Sequence, residues 1–261
     1  MLYVHEENIR NKITTNYNKR GAEIERFMHE SYLPMREKIF ELRFAKSETK
    51  NFITAANIFN NYYEEIESFS NKYGIKAQSK FASTFYEEIS SYLFKDLPEI
   101  KNNIYGIYNK KIYAGLKIDN NQKIGIIPKD VDFCIGKKVN ISIDEQTPVE
   151  LILPIVAVEV KTYLDATMFG EIKSSSKSIR SASPNSKAYV LMGYKCIADE
   201  HIVAARQDAT LTEMFVLRKD ENSPIDSEAL YQYFCEICDA VSSISDETII
   251  KTPGKLLFPG K

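Results

Sequence analysis

Cysteine is scarce in this chain. Four are spread over 261 residues, Cys134, Cys196, Cys235 and Cys238, at irregular spacings that do not describe a secreted disulfide framework. Glycine and proline are few as well, 10 and 9, which excludes collagen-like and low-complexity sequence. Long apolar runs are missing: the longest, residues 151–158, falls far short of the roughly 20 residues of a spanning helix. Where a signal peptide would be apolar the chain has His5, Glu6, Glu7 and Arg10, which predicts a cytoplasmic protein with no membrane partner. What is present, 44% hydrophobic and 27% charged residues, suffices for the core of one large domain or two modest ones.

Cys235 and Cys238 form a C-x-x-C, the usual half of a zinc site, but no second half exists. They lie in a stretch whose apolar residues recur at helical spacing, so they read as cysteines buried on a helix. The net charge of −2 conceals an uneven distribution. Residues 1–100 hold 14 basic and 15 acidic side chains, residues 101–195 hold 14 against 9, and residues 196–261 hold 6 against 12. The middle is the part suited to a polyanion, although such swings are also common on solvated surfaces.

Apolar spacings of three and four predict helices over 22–44 and 54–73, interrupted by Pro34 and by the polar stretch 47–51. A third helix is predicted from Ser79, a plausible N-cap, to Phe94, ending at the turn Asp96-Leu97-Pro98. From there the pattern changes to short β-rich stretches at 104–108, 111–116, 123–127, 131–135 and 149–160. A helix over 165–181, strands at 188–192 and 214–217 and a helix over 226–242 follow. This divides the chain into a helical subdomain (1–76), an α/β core (77–220) and a C-terminal helix and tail packed on that core (221–261).

The most informative stretch is 151–161, an apolar run of the kind a doubly buried strand shows, ending in Glu159-Val160-Lys161. Residues i and i+2 of a strand share a face, so a carboxylate and an ammonium project into one space. Alone, this could be a strand-end ion pair. Upstream, Asp130 and Asp132 are predicted to share a face of another strand, with Val131, Phe133 and Ile135 on the other. One Asp, one Glu and a backbone carbonyl are an adequate protein share for a hard cation such as Mg²⁺, and a lysine beside them can orient a water and stabilise an anion, the kit of metal-assisted phosphodiester hydrolysis. Phe81, Phe85, Glu88 and Tyr92 fall four, three and four apart, which puts Glu88 on an apolar helix face and Glu87 roughly opposite, in solvent. Glu88 is a candidate third acid, or else pairs with a structural cation. Lys173, Lys177 and Arg180 make a basic helical stripe among serines, suited to DNA phosphates or simply a solvated face.

Asp132, then an apolar strand ending Glu159-Val160-Lys161, with Glu88 on a preceding helix, resembles the PD-(D/E)XK nuclease superfamily. The stretches Lys129-Asp130-Val131-Asp132-Phe133-Cys134-Ile135 and 156–168 look like those of type II restriction endonucleases, of the BbvCI-like group of asymmetric-site cutters. The resemblance covers about residues 79–195. It implies a mixed β-sheet flanked by helices, a restriction-endonuclease-like core with an N-terminal helical subdomain added. It implies Glu159 as metal ligand, Lys161 as the residue that positions the attacking water, Asp132 as the bridging acid and Glu88 as the helix acid. The family's Pro-Asp pair is absent as such, since Lys129 follows Pro128, so Asp130 or Asp132 could be the ligand; the apolar Phe133-Cys134-Ile135 that directly follows favours Asp132. The resemblance further implies Mg²⁺, double-stranded DNA cut within a short specific sequence, a homodimer or heterodimer, and a cognate DNA methyltransferase.

Other classes fare worse. Gly106-Ile107-Tyr108 spells half of a GIY-YIG signature, but Ile112-Tyr113-Ala114-Gly115 is not the other half. His5, His29 and His201 are too scattered for a histidine-metal nuclease, and no phosphate loop or G-x-S-x-G elbow is present. A repair or junction nuclease, or a non-catalytic DNA-binding protein on the same fold, are the remaining alternatives. Base readout by loops 137–148 or 199–212 would leave no recognisable code.

Overall fold

The computed structural model describes residues 3–109, 111–118, 120, 124–142, 148–208 and 210–243. The first third is helical: α1 (Val4–Thr14), α2 (Gly21–Phe27), α3 (Leu33–Glu41), α4 (Thr49–Tyr73), then α5 (Ser83–Phe94) and the short α6 (Pro98–Lys101). Pro34 does not interrupt the second and third of these. A π-turn at Met28–Tyr32 joins α2 to α3, and the proline sits in the first turn of α3, where a missing N–H costs least. Ser79 is not an N-cap either; it closes a 3₁₀ turn, Ala77–Ser79, and α5 starts four residues later. That helix is buried almost all round, from Thr84 to Phe94 with only Glu87 partly exposed, because the earlier helices cover one side and the sheet and the C-terminal helix the other.

The strands are β1 (Gly106–Tyr108), β2 (Ile112–Ile118), β3 (Ile124–Lys129), β4 (Phe133–Ile141), β5 (Val149–Leu164), β6 (Lys187–Lys195) and β7 (Glu213–Val216). One five-stranded sheet has the order β1-β4-β5-β6-β7, and β2 and β3 form a separate hairpin. Pairing is antiparallel from β1 through β5 and parallel from β5 through β7. Parallel neighbours need a crossover, supplied by α7 (Ala166–Ala182) and α8 (Asp199–Asp208). A helix, α9 (Ser227–Ser243), ends the described chain. The stretch from 199 onward is therefore helix rather than the expected loop. In the other expected loop, 137–141 belongs to β4, while 143–147 lie outside the described residues.

Alternation of side chains fixes the two faces of the sheet. Val156, Val158, Val160, Tyr189 and Leu191 join one continuous apolar cluster with Phe59, Phe85 and Tyr233 from α4, α5 and α9. Val190 and Met192 pack with Phe169 and Ile172 of α7 on the other face, as Cys134 and Ala157 do with Ile179. Gly193 marks the tightest approach: a Cβ there would stand 2.3 Å from the Thr162 carbonyl and 3.1 Å from the Tyr86 ring. The result is the expected mixed sheet flanked by helices, with the helical first third packed on it. No described helix is long and apolar enough to cross a membrane.

Candidate active site

Ala157 packs against Ile179 of α7 and Glu159 reaches Ser175 of the same helix, so Glu159 and Lys161 project to that side while Val158 and Val160 fill the core opposite. Phe133 pairs with Val158, which sets Asp132, just before β4, beside the end of this run. Asp132 Oδ2 accepts the Val160 N–H at 2.7 Å and the Lys161 ammonium at 3.1 Å. The same ammonium reaches Glu159 Oε2 at 3.4 Å and the Val160 carbonyl at 3.1 Å. Three oxygens from two carboxylates and one carbonyl thus converge on one positive charge. Glu159 Oε1 is engaged separately, by the Ser175 hydroxyl of α7 at 3.2 Å.

Electrostatics follow from this crowding. Burial, and then the neighbouring Asp132, push the Glu159 carboxyl above its ordinary range. Burial alone would lower the Lys161 ammonium, but Asp132 and Glu159 outweigh it and hold it above its usual value. Among the described residues no three His, Cys, Asp or Glu side chains stand together as a metal site. The donor set here is instead two carboxylates and a carbonyl around a point already chosen by a cation, all hard oxygens of the kind Mg²⁺ prefers. The residues fit that ion.

Lys161 stands on the rim between two clefts. One, of about 390 Å³, is lined by Asp130, Glu159, Glu171, Ser175 and Lys111. The other, of about 830 Å³, is lined by Asp132, Glu87, Tyr163 and the linker that precedes α5. Asp130 and Asp132 therefore do not share a face: neither lies within a strand, and Asp130 turns toward Glu159's cleft, where it accepts the Lys111 N–H at 3.2 Å.

Glu88 requires a larger correction. It is fully buried, and its oxygens accept four hydrogen bonds: from the N–H groups of His5 (2.8 Å) and Glu6 (3.1 Å) and from the hydroxyls of Tyr32 (2.9 Å) and Tyr92. Those N–H groups belong to the first turn of α1, which otherwise has no side-chain cap, so the carboxylate satisfies a helix N-terminus and has no oxygen to spare for a metal. The helix acid that shares a cleft with Asp132 and Lys161 is its neighbour Glu87, which the spacing assigns to solvent.

Lys173, Lys177 and Arg180 do lie along one side of α7, bordering a shallow groove with Ser174 and Ser181, and Lys173 also rests over the Phe169 ring. Cys235 and Cys238 are half-buried on α9, the latter pushed up to about 12 by burial. Two residues of the site, Glu87 and Ser175, are not indicated as functional by the sequence. For Ser175 a signal existed: among the serines of α7, the period of Phe169, Ile172 and Ile179 selects Ser175 and Ser176 for the inward face.

Comparison with known proteins points the same way as this geometry. A family model described as Bpu10I restriction endonuclease matches residues 78–237. A solved structure, titled native BbvCI A2B2 tetramer at low resolution, superposes with a TM-score of 0.78 at 16% identity, covering 95% of this chain and 99% of that one. At that identity the likeness shows the fold. No curated protein matches the chain.

Proposed function

Since this chain belongs to the Bpu10I restriction endonuclease family and is accordingly a type II restriction endonuclease acting on DNA, we propose that it hydrolyses phosphodiester bonds with Mg²⁺ at Asp132, Glu159 and Lys161. The observation that carries this reading is the convergence of Asp132 Oδ2, Glu159 Oε2 and the Val160 carbonyl on a single cationic point. Mg²⁺ held by those oxygens would neutralise charge on the scissile phosphate and make a bound water more acidic.

The chain's own groups do the rest. The Val160 N–H fixes one oxygen of Asp132, and Ser175 fixes one of Glu159, so both acids are oriented before substrate arrives. Lys161, kept charged by the two acids, presents N–H donors that hold the attacking water in line with the phosphorus and meet the negative charge that grows on the phosphoryl oxygens. Glu87, in the Asp132 cleft, is placed to act with them on the substrate side. Lys173, Lys177 and Arg180 engage phosphates along α7. The enzyme pairs with a second subunit, the same or a homologous one, so that each strand meets one site, and a cognate methyltransferase protects the host sequence.

The test is incubation of the purified protein with unmethylated phage DNA, in Mg²⁺ and in EDTA, read on a gel. Discrete fragments only in Mg²⁺ are expected. Binding without cutting in Mg²⁺ would contradict an active site complete in this chain alone.

A further inference from the structure

We infer that the linker between α4 and α5 is a phosphate clamp for the DNA strand at the active site, an assignment that gives the helical first third a part in substrate binding and rests on the nuclease reading above. This linker walls the 830 Å³ cleft opposite Asp132, Lys161 and Tyr163. It is pinned rather than draped. Ile75 and Phe81 are buried at its two ends, 8% and 1% exposed, and between them the Ser79 carbonyl accepts the Lys12 ammonium at 2.6 Å and the Asn8 side-chain amide at 3.4 Å, both from α1.

Between those anchors Lys76, Gln78 and Lys80 stay exposed and line the cleft. Lys80 holds φ at 58°, a left-handed conformation unfavourable to a residue with a Cβ, and strain of this sort persists only where the surroundings impose it. Neither ammonium enters an ion pair among the described residues, whereas Lys95 and Lys101 share Asp96 and Lys72 rests over the Tyr73 ring. Two uncommitted cations on a turn immobilised by α1, across a cleft from the hydrolytic groups, match what a sugar-phosphate backbone needs: point charges at fixed positions, which set the register of a strand without reading its bases.

The test pairs binding with cleavage. Lys76→Ala/Lys80→Ala and, as a control, Lys50→Ala on the exposed face of α4 are titrated with a duplex in EDTA over a range of salt, and cleavage in Mg²⁺ is measured on the same DNA. For the double variant the slope of log K against log salt is expected to fall by about 2, one per lost phosphate contact, with KM raised and kcat within about twofold of wild type. Lys50→Ala should leave slope and KM unchanged. If wild type cuts but the double variant keeps the wild-type slope and KM, the clamp is wrong and the nuclease reading stands. If Lys50→Ala loses half as much as the double variant, in proportion to its one charge, the effect is general charge and the clamp is wrong. If wild type neither binds nor cuts, both fall.

Discussion

Glu88 Oε2 accepts the His5 backbone N–H at 2.8 Å, so an acid in the middle of α5 closes the first turn of α1, 83 residues earlier in the chain. The neighbouring Glu87 faces the cleft of Asp132 and Lys161 instead. Adjacent glutamates thus have separable roles. Glu88→Ala leaves two backbone donors and two phenols without their acceptor and should cost about 3 kcal/mol of stability. Glu87→Ala should leave the melting temperature nearly unchanged and lower the cleavage rate at least several-fold. Thermal denaturation and single-turnover cleavage of the two variants separate these effects.

Ser175 acts through Glu159. Ser175→Ala removes the hydroxyl from Glu159 Oε1, so the carboxylate gains freedom and kcat should drop roughly tenfold, while affinity for DNA in EDTA stays at the wild-type value. Ser175→Thr should restore part of the rate. Equal losses of binding and rate would instead mean that α7 has shifted.

Lys177 is the most exposed member of the α7 stripe. Lys177→Ala should weaken DNA binding without sequence preference and lower the salt slope by about one, which filter binding at several salt concentrations would show.

The buried His5–Glu88 cluster gives the protein a pH signature. His5 is buried against Thr84 and Tyr62, and burial lowers its imidazole from 6.5 to about 3. Its neutral form therefore contributes stability that is full above pH 6.5 and is lost as pH falls toward 3. Burial raises Glu88 from 4.5 to about 7 in spite of its four donors, so its contribution is full below pH 4.5 and is lost as pH rises through 7. Between pH 4.5 and 6.5 the two trends oppose each other; below 4.5 only the histidine loss remains. Urea unfolding should show a loss of about 1.4 kcal/mol per pH unit from this site below pH 4.5, absent in His5→Phe.

Much of the site was legible in the chain because its signal is local. An apolar run that ends in Glu159-Val160-Lys161 has only one way to place two charges on a strand with period two, and Asp132 sits beside the residue that pairs with Val158. Glu88 departs from the role its spacing suggests for a physical reason. Helical spacing identifies a face that meets apolar surroundings, but α5 is buried almost all round, and the sequence does not say which of its neighbours brings donors. The cap it provides for α1 depends on contacts 83 positions apart. Strand periodicity puts Asp130 and Asp132 on one face, yet β4 begins only at Phe133, so that rule does not apply to them. Pro34 failed to break its helix because a π-turn precedes it, an irregularity with no composition of its own.

Among the described residues Lys161 is the one side chain that touches Asp132, Glu159 and both clefts, and the proposed chemistry depends on it. The most direct measurement is single-turnover cleavage of a mapped duplex in Mg²⁺ by wild type and Lys161→Ala, with DNA binding measured alongside in EDTA. The rate should fall by about 10³ or more with binding retained. A Lys161→Ala protein that cuts at the wild-type rate would contradict the proposed chemistry.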